Sequence, residues 1–219
     1  MTFKEFGLSQ PLVGALEKMG FETPMNIQKD VIPLILSGKD VIGQSPTGTG
    51  KTLAFLLPLI ERLDLERDEV QAIILAPTHE LAIQIHRQTE EIAKHSTLKI
   101  TSAPVIGGVN IDRQIEKLKK DKPQLLIGSS GRILELIQKR KISAPKIRTI
   151  VLDEADRLLE ESNISNVRAI VKSTLKDRQI LMFSATMPPG TLQKAHEMMN
   201  NPQEALNAAS AHIPADISH

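Results

Sequence analysis

Short apolar runs alternate along the chain with longer stretches in which apolar residues recur at helical spacing. The runs are continuous rather than alternating with polar residues, which is typical of strands covered on both faces, as in a parallel sheet. We predict strands at 41–43, 72–75, 100–103, 125–128, 149–152 and 180–183. We predict helices between them at 53–63, 80–94, 111–119, 133–140, 167–173 and 191–199. This order predicts an α/β fold with an open, mainly parallel, doubly wound sheet and helices on both faces.

Two further helices are predicted before the first strand. The first, 8–19, ends at Gly20, and the second, 27–36, is interrupted by Pro33. We interpret residues 1–38 as a helical extension packed on a core domain that spans 39–205. The tail from Asn200 onward has little periodicity and is interpreted as a linker. A basic run, 117–122, is more often a solvated helix end than a binding site.

Composition narrows the chemistry. The 219 residues fit one large domain, and the absence of cysteine excludes disulfides, thiolate metal sites and a cysteine nucleophile. No secretory signal and no apolar run of about 18 residues are present, so we expect a soluble cytoplasmic protein. The net charge is only +1, and the aromatic residues are five Phe without Tyr or Trp. An aromatic base-stacking platform is therefore not expected, and any nucleic acid would be held through its backbone.

A glycine-containing turn joins the first predicted strand to the next helix. Its glycines allow the backbone to wrap around phosphate, and the helix N-terminus adds partial positive charge. Lys51 can reach the β and γ phosphates, and the Thr52 hydroxyl can ligate magnesium. Ser45 stands where the common phosphate-loop pattern has its first Gly. The predicted nucleotide-binding loop is Ser45, Pro46, Thr47, Gly48, Thr49, Gly50, Lys51 and Thr52.

An acidic tetrad, 153–156, follows the apolar run 149–152. Asp153 is placed to hold magnesium, and Glu154 to orient or deprotonate an attacking water. An acidic tetrad alone is more often a solvated helix start, but the phosphate loop favours the catalytic interpretation. Ligands of such sheets lie beyond the carboxyl ends of the strands, where both motifs fall. A nucleotide with Mg²⁺ is therefore the predicted ligand.

Together these motifs resemble those of the DEAD-box RNA helicases, whose name spells the tetrad. The resemblance covers the whole chain and implies the N-terminal RecA-like domain of that family. It rests on motifs in the family's order: a Q-like motif over 20–28 with Phe3 upstream, the phosphate loop, Pro77-Thr78-His79-Glu80-Leu81-Ala82-Ile83-Gln84, Gly107-Gly108, Ser129-Ser130-Gly131-Arg132, the tetrad, and Ser184-Ala185-Thr186.

The resemblance implies roles for individual residues. Gln28 would read the adenine edge, and Phe21 would pack on the adenine. Asp156 would hydrogen-bond Ser184 and Thr186, which ties the metal site to the cleft between two domains. RNA phosphates would meet three segments at helix starts or turns, with Arg132 as the strongest single candidate. These RNA-binding candidates are Pro77, Thr78, His79, Gly107, Gly108, Ser129, Gly131 and Arg132.

The chain departs from the family pattern at several positions. Ser45 stands for the usual Ala, and His79 for the usual Arg, which would weaken attraction for RNA. Ser130 stands for Pro, and Met25-Asn26 for Thr-Pro. The family's second domain, with its arginine fingers, does not follow. We therefore expect a fragment of a longer enzyme, with 206–219 as the linker to that domain and little ATP turnover by the fragment alone.

The sequence thus predicts the ATP-binding half of an RNA helicase that binds RNA without sequence preference and couples ATP hydrolysis to local unwinding. One alternative is an ATP-gated RNA clamp or scaffold that does not unwind. A second is a small-molecule kinase with a phosphate loop. The tetrad, 184–186 and the Q-like motif argue against the kinase.

Overall fold

The sheet has seven strands, and every pairing between them is parallel. The computed structural model describes residues 2–206. The strand order across the sheet is β3-β4-β2-β5-β6-β1-β7. The strands are β1 Val41–Gln44, β2 Ala72–Leu75, β3 Ser102–Val105, β4 Leu125–Gly128, β5 Thr149–Asp153, β6 Gln179–Ser184 and β7 Gln203–Ala205. The predicted open, doubly wound α/β class is confirmed.

Nine α-helices among the described residues cover the two faces of this sheet. They are α1 Gln10–Lys18, α2 Asn26–Leu36, α3 Lys51–Glu61, α4 His79–His95, α5 Ile111–Asp121, α6 Ser130–Gln138, α7 Ala155–Leu158, α8 Glu161–Ser173 and α9 Pro189–Met198. Two 3₁₀ turns, Phe3–Phe6 and Ala144–Lys146, complete the elements. None of these helices is both long and apolar enough to cross a membrane.

Two apolar cores, one on each face of the sheet, explain why the strands are continuous apolar runs. Successive side chains of a strand point to opposite faces. In β2, Ile74 belongs to the core beneath α1, α2, α3 and α4, whereas Ile73 and Leu75 belong to the core beneath α5 to α9. The side chains of the inner strands therefore face a helix layer on either side of the sheet, where an unpaired polar side chain has a cost.

The N-terminal helices belong to the first of these cores. Leu12, Leu16, Val31 and Ile35 are fully or almost fully buried in it. Helix α2 packs along α3 and runs through Pro33 without a break, so the predicted interruption is wrong. Packing compensates for the single backbone bond that proline removes. A division between 1–38 and 39–205 stays a prediction.

Some predicted boundaries are shifted. Strand β3 begins two residues later than predicted, at Ser102, and α8 begins at Glu161 rather than at 167. The polar first turns of α8 lack the apolar spacing on which the prediction depended. Helix α6 likewise begins at Ser130, three residues before its first buried aliphatic residue, Ile133.

The edge strand β7 lies inside the segment that the sequence predicted as linker. It pairs in parallel with β1 and is only partly buried, so it carries no apolar signal. Asp40 anchors it: one carboxylate oxygen accepts from Asn200 N at 2.7 Å, the other from Ile180 N at 2.8 Å. The backbone carbonyl of Asp40 accepts from Gln203 N at 2.8 Å. The linker prediction from Asn200 is therefore wrong up to 205, and 207–219 lies outside the described residues.

The strand order separates the predicted motifs into two groups. Strands β5, β6 and β1 are neighbours, and they lead into the tetrad, 184–186 and the phosphate loop. Strands β3, β4 and β2 are also neighbours, and they lead into 107–108, 129–132 and 77–79. Because all strands are parallel, the six motifs that follow a strand lie at one edge of the sheet. The nucleotide candidates occupy one half of this edge and the RNA candidates the other.

Candidate nucleotide and nucleic-acid site

The phosphate loop runs from β1 into α3 with two left-handed residues. Gly48 and Gly50 both have a φ of +79°. A side chain at such a φ is strained, and a Cβ at Gly50 would also clash with Gln28 Nε2. Both glycines are therefore required by the loop's path. Gly50 caps α3, so that Lys51 and Thr52 open the helix with their backbone N–H groups facing the loop.

Hydroxyl groups close the loop upon itself. Ser45 is buried, with 3% of its surface exposed, and its Oγ lies 2.5 Å from Thr49 Oγ1. Thr49 Oγ1 in turn donates to the Pro46 carbonyl at 2.6 Å. Ser45, predicted as a nucleotide-binding residue and as a departure from the family pattern, thus holds the turn together through its hydroxyl. Pro46 and Thr47 at its tip are exposed.

Lys51 joins the loop to the acidic strand end. Its side chain is half-buried, and burial lowers the pKa of its ammonium group, against the opposing effect of Asp153, Glu154 and Asp156. Strand β6 lies between β5 and β1, so the end of β5 is near the start of α3. The three carboxylates there are close enough to Lys51 for charge attraction to oppose the lowering of its pKa by burial. The two motifs, a hundred residues apart in the chain, are therefore parts of one site.

Asp153 is the most perturbed carboxyl group of this site. Burial raises its pKa to about 6, although Lys51 and a hydrogen bond from Glu154 N at 3.0 Å oppose the shift. A buried carboxylate beside a cationic side chain is a typical cation ligand or catalytic group. Asp153 is the last residue of β5, so the sheet fixes its position.

Glu154 has a left-handed backbone with a φ of +52°. Such a conformation is uncommon for a residue with a side chain and is found preferentially at functional sites. It turns the chain sharply from β5 into α7. The carboxylate is half-exposed and pairs with Arg157 Nη1 at 3.1 Å. The side chain is thus accessible at the site edge, where a water could be positioned.

The donor set fits magnesium only together with a nucleotide. No cluster of three His, Asp or Glu side chains that could hold a cation occurs within residues 2–206. Mg²⁺ is usually bound by one or two protein oxygens together with substrate phosphates and water. Asp153 and the half-buried Thr52 supply two oxygens of the required kind. Cation binding here therefore requires phosphate oxygens in addition.

Gln28 contacts the phosphate loop directly. Its amide is buried, with 3% exposure; Oε1 accepts from Met25 N at 2.9 Å and Nε2 donates to the Gly50 carbonyl at 3.1 Å. A cavity of about 410 Å³ opens beside it. Met25 and Asn26, which the sequence analysis does not name as binding residues, line this cavity with Ser45, Gly48 and Thr49. Their adjacency to Gln28 in the chain is the signal that could have identified them.

Phe21 lies apart from this cavity. Its ring is 37% exposed and lines a separate cavity with Phe3, Val13 and Glu17. The adenine contact of Phe21 stays a prediction, because its ring and the phosphate loop line different cavities.

A second set of bonds connects the loop with 184–186 and the tetrad. Asp156 Oδ2 accepts from Thr186 Oγ1 at 2.5 Å. Burial alone would raise the Asp156 pKa, but Thr186, Ser184 and Arg157 N together lower it. Ser184 Oγ is near enough to lower the pKa of Asp156, but it makes no well-formed hydrogen bond within the described residues. Ser45 N donates to the Ser184 carbonyl at 3.0 Å.

Two of the candidate RNA-binding segments, 77–79 and 107–108, lie next to each other. Thr78 caps α4 by accepting from Leu81 N at 3.2 Å, and Pro77 is half-buried before it. His79, the first residue of α4, is exposed, and its Nε2 would lie 3.7 Å from a Cβ at Gly107. Gly108 has a φ of +77° and open space around it. These segments form one exposed surface at the edge.

Arg132 is held by partners on the neighbouring glycine turn and helices. Its side chain is only 12% exposed. Nη1 donates to the Val109 carbonyl and to Gln114 Oε1, each at 3.0 Å, and Nε pairs with Glu135 at 3.2 Å. The guanidinium therefore anchors the glycine turn, and its contact with an RNA phosphate stays a prediction. Ser129 is half-buried before α6 and Gly131 is exposed in its first turn, beside this anchor.

Curated proteins that resemble this chain are bacterial RNA helicases. The chain is 45% identical over 202 residues to the DEAD-box ATP-dependent RNA helicase CshA of Bacillus cereus, which covers 92% of the chain and 38% of the relative. It is 46% identical over 189 residues to CshC of Bacillus cereus, covering 86% of the chain and 48% of that protein. The chain thus spans less than half the length of these relatives.

Solved structures share the fold. A DEAD box protein from Methanococcus jannaschii superposes with a TM-score of 0.87 at 36% identity, over 93% of this chain and 55% of that one. Dbp5 of S. cerevisiae, bound to RNA and ADP BeF3, superposes with a TM-score of 0.84 at 33% identity, over 93% and 51% of the two chains. The DEAD/DEAH box helicase model matches residues 25–195. The chain therefore belongs to the DEAD/DEAH box helicase family.

Proposed function

We propose that this chain is the ATP-binding half of an ATP-dependent RNA helicase that couples ATP hydrolysis to local unwinding of RNA. The observation that carries the proposal is the convergence of Lys51 and Asp153, from two motifs on β1 and β5, at one edge of the sheet. Family membership and the RNA and ADP BeF3 bound to the yeast neighbour support the same assignment.

In this proposal each residue of the nucleotide site has a defined task. The N–H groups of 48–52 and the Lys51 ammonium hold the phosphates. Thr52 and Asp153 hold Mg²⁺, which neutralises phosphate charge when bound. Glu154 positions the attacking water. Gln28 contacts the adenine edge while remaining bonded to Gly50, so that recognition of the base also sets the loop.

RNA would lie across the half of the edge formed by β3, β4 and β2. The N-terminal N–H groups of α4 and α6 and the turn 107–108 present donors to phosphates. Arg132 contributes by holding this turn in place. Recognition of the backbone without aromatic stacking predicts little sequence preference.

Full activity is proposed to need a second RecA-like domain. Thr186 donates to Asp156 at 2.5 Å, and this pair would connect the metal site to the cleft between the two domains. An arginine finger is worth about 10³–10⁵ in the rate of phosphoryl transfer. We therefore expect this chain alone to bind ATP and turn it over very slowly. A cytoplasmic location stays a prediction from the sequence.

The test is ATP turnover by the 219-residue chain, with and without single-stranded RNA, beside calorimetric ATP binding. We expect binding without appreciable turnover in both cases. Lys51→Ala should abolish binding, whereas Lys39→Ala, at an exposed lysine away from the site, should not. Robust turnover by the chain alone would contradict the need for a second domain. Failure to bind ATP would overturn the proposal itself.

The alternative is an ATP-gated RNA clamp that holds RNA without unwinding it, since the motifs of this half serve both functions. A strand-displacement assay on the protein that contains both domains separates them. Release of strands upon ATP addition supports the helicase, and RNA binding with ATP but without release supports the clamp.

A further inference from the structure

The basic run 117–122 contributes to a groove on the side of the molecule opposite the nucleotide. A cavity of about 360 Å³ lies beside Val70, Pro123 and Lys146. These residues precede β2, β4 and β5, so the cavity lies at the amino ends of the strands, whereas the nucleotide and RNA candidates lie at the carboxyl ends. The proposed helicase chemistry therefore does not use this surface.

The floor of the groove is apolar. It is formed by Val70, Ile115, Leu118, Pro123 and Ile142, which are the outer margin of the core beneath α5 and α6. Val70 and Leu118 are only partly buried, so apolar surface remains open to a ligand. An apolar floor is typical of sites that accept an aliphatic or aromatic side chain, and RNA phosphates would gain nothing from it.

The rim of the groove is cationic. Five cations line it, Lys119, Lys122, Arg140, Lys141 and Lys146, against two acids, Asp68 and Glu69. This surplus of three positive charges exceeds the net charge of the whole chain, +1, so it is a local concentration.

Pairing removes only part of this charge. Lys122 pairs with Asp68 at 3.4 Å and Lys146 with Glu69. Lys119, Arg140 and Lys141 have no ion pair within residues 2–206. The helix dipole explains a cation in the last turn of α5, but Arg140 and Lys141 lie beyond the end of α6.

The groove continues past the Glu69–Lys146 pair. Both residues also line a neighbouring cavity of about 390 Å³, together with Arg67 and Arg148. An elongated ligand could therefore pass from one cavity to the next over this ion pair. In the second cavity Arg67 pairs with Asp64 and Glu69, and Arg148 pairs with Asp177, so the unpaired cations belong to the first cavity. Two consecutive cavities suit an extended segment better than a compact metabolite.

We propose that this groove, formed by the apolar floor and the cationic rim defined above, docks an acidic protein segment that inserts aliphatic side chains between α5 and α6. The floor provides the apolar contact, and Lys119, Arg140 and Lys141 provide charge complementarity. Because the docking surface and the nucleotide site lie at opposite edges of the sheet, both can be occupied at once.

The probe is a fluorescein-labelled peptide of Glu and Asp with interspersed Leu, measured by anisotropy with the 219-residue chain. We expect saturable binding that weakens with salt and is lost when every Leu is replaced by Ser. Lys119→Glu with Lys141→Glu should weaken binding by at least about tenfold. Lys39→Glu with Lys99→Glu makes the same charge change at exposed lysines outside the groove and should alter it by less than about twofold.

Several outcomes would overturn the proposal. They are absence of saturable binding, equal weakening by the two double variants, and equal binding of the Leu-free peptide. Labelled single-stranded RNA is a parallel probe. If its binding depends on Lys119 and Lys141 while that of the peptide does not, the groove is a nucleic-acid surface instead. ATP affinity should be unchanged in both double variants, which verifies that they are folded.

Discussion

Gln28 and Gly50 are joined by a hydrogen bond from the buried Gln28 amide to the Gly50 carbonyl at 3.1 Å. The oxygen of the same amide accepts from the N–H of Met25, the residue that precedes α2. Gln28 therefore connects the start of α2 to the phosphate loop. The group proposed to recognise the base is therefore also part of the scaffold of the phosphate site.

Gln28→Glu should lower ATP affinity by about tenfold or more. A carboxylate cannot donate to the Gly50 carbonyl, and a buried acceptor without its donor costs about 1–3 kcal/mol. Calorimetric titration with ATP measures the effect. Gln138→Glu, at an exposed glutamine of α6, is the control and should leave affinity unchanged. Wild-type affinity in Gln28→Glu would show that this bond does not organise the loop.

Ser45→Ala should raise ATP affinity by about two- to tenfold. The bond between Ser45 and Thr49 closes the loop upon itself, and a net hydrogen bond contributes about 0.5–1.5 kcal/mol to the form that contains it. Its removal makes the loop easier to open around phosphate. Ser143→Ala, at an exposed serine, is the matched control. An unchanged or weaker affinity would contradict this role of Ser45.

Nucleotide binding in the presence of Mg²⁺ should weaken as pH falls through about 6. Burial raises the Asp153 pKa to about 6, so its carboxylate is lost below that pH. Binding measured without Mg²⁺ should depend less on pH. Asp153→Asn should abolish the contribution of Mg²⁺ at every pH, whereas Asp112→Asn, on an exposed turn of α5, should have no effect. A pH-independent contribution of Mg²⁺ would refute this.

The same shift predicts a cost in stability at neutral pH. The folded pKa of Asp153 lies above the ordinary 3.8, so the folded chain binds this proton more tightly than the unfolded chain. Its favourable contribution is complete below about pH 4 and is lost as pH rises through 6. At pH 8 Asp153→Asn should therefore have a higher free energy of unfolding than the wild type, by on the order of 1–3 kcal/mol. Urea unfolding measures the difference. Equal stability at pH 8 would contradict the shift.

Arg132→Ala should lower the free energy of unfolding by about 1–3 kcal/mol. The change leaves the Val109 carbonyl and Gln114 without their charged donor. Arg113→Ala removes an exposed arginine of α5 and should cost less than about 0.5 kcal/mol. Urea unfolding measures both. Weaker RNA binding without any loss of stability would instead restore the direct phosphate contact that the sequence suggests.

His79→Arg should strengthen RNA binding and steepen its salt dependence by about one counterion. The position is exposed beside Gly107, so a permanent charge there meets the proposed path of the phosphates. Gln193→Arg adds the same charge on an exposed position of α9. RNA affinity titrated against salt compares the two variants. If His79→Arg gains no more than Gln193→Arg, residue 79 does not face RNA.

The amino-acid sequence by itself predicted six of the seven described strands, eight of the nine described helices, the two phosphate-chemistry motifs and the family. These follow from local information: continuous apolar runs specify buried strands, and the glycines at 48 and 50 are needed for a positive φ. Apart from the Q-like motif, the motifs come directly after a strand, which also predicted that they would lie at one edge of the sheet.

Only the tertiary structure decided what depends on contacts distant in the chain. The order β3-β4-β2-β5-β6-β1-β7 separates the nucleotide half of the edge from the RNA half. Asp40 recruits β7 through bonds to Ile180 and Asn200, although that segment is polar. Arg132 turns inward because its partners at Val109 and Gln114 come from the neighbouring β3–α5 region. Such pairings depend on packing, and no periodicity of a single segment encodes them.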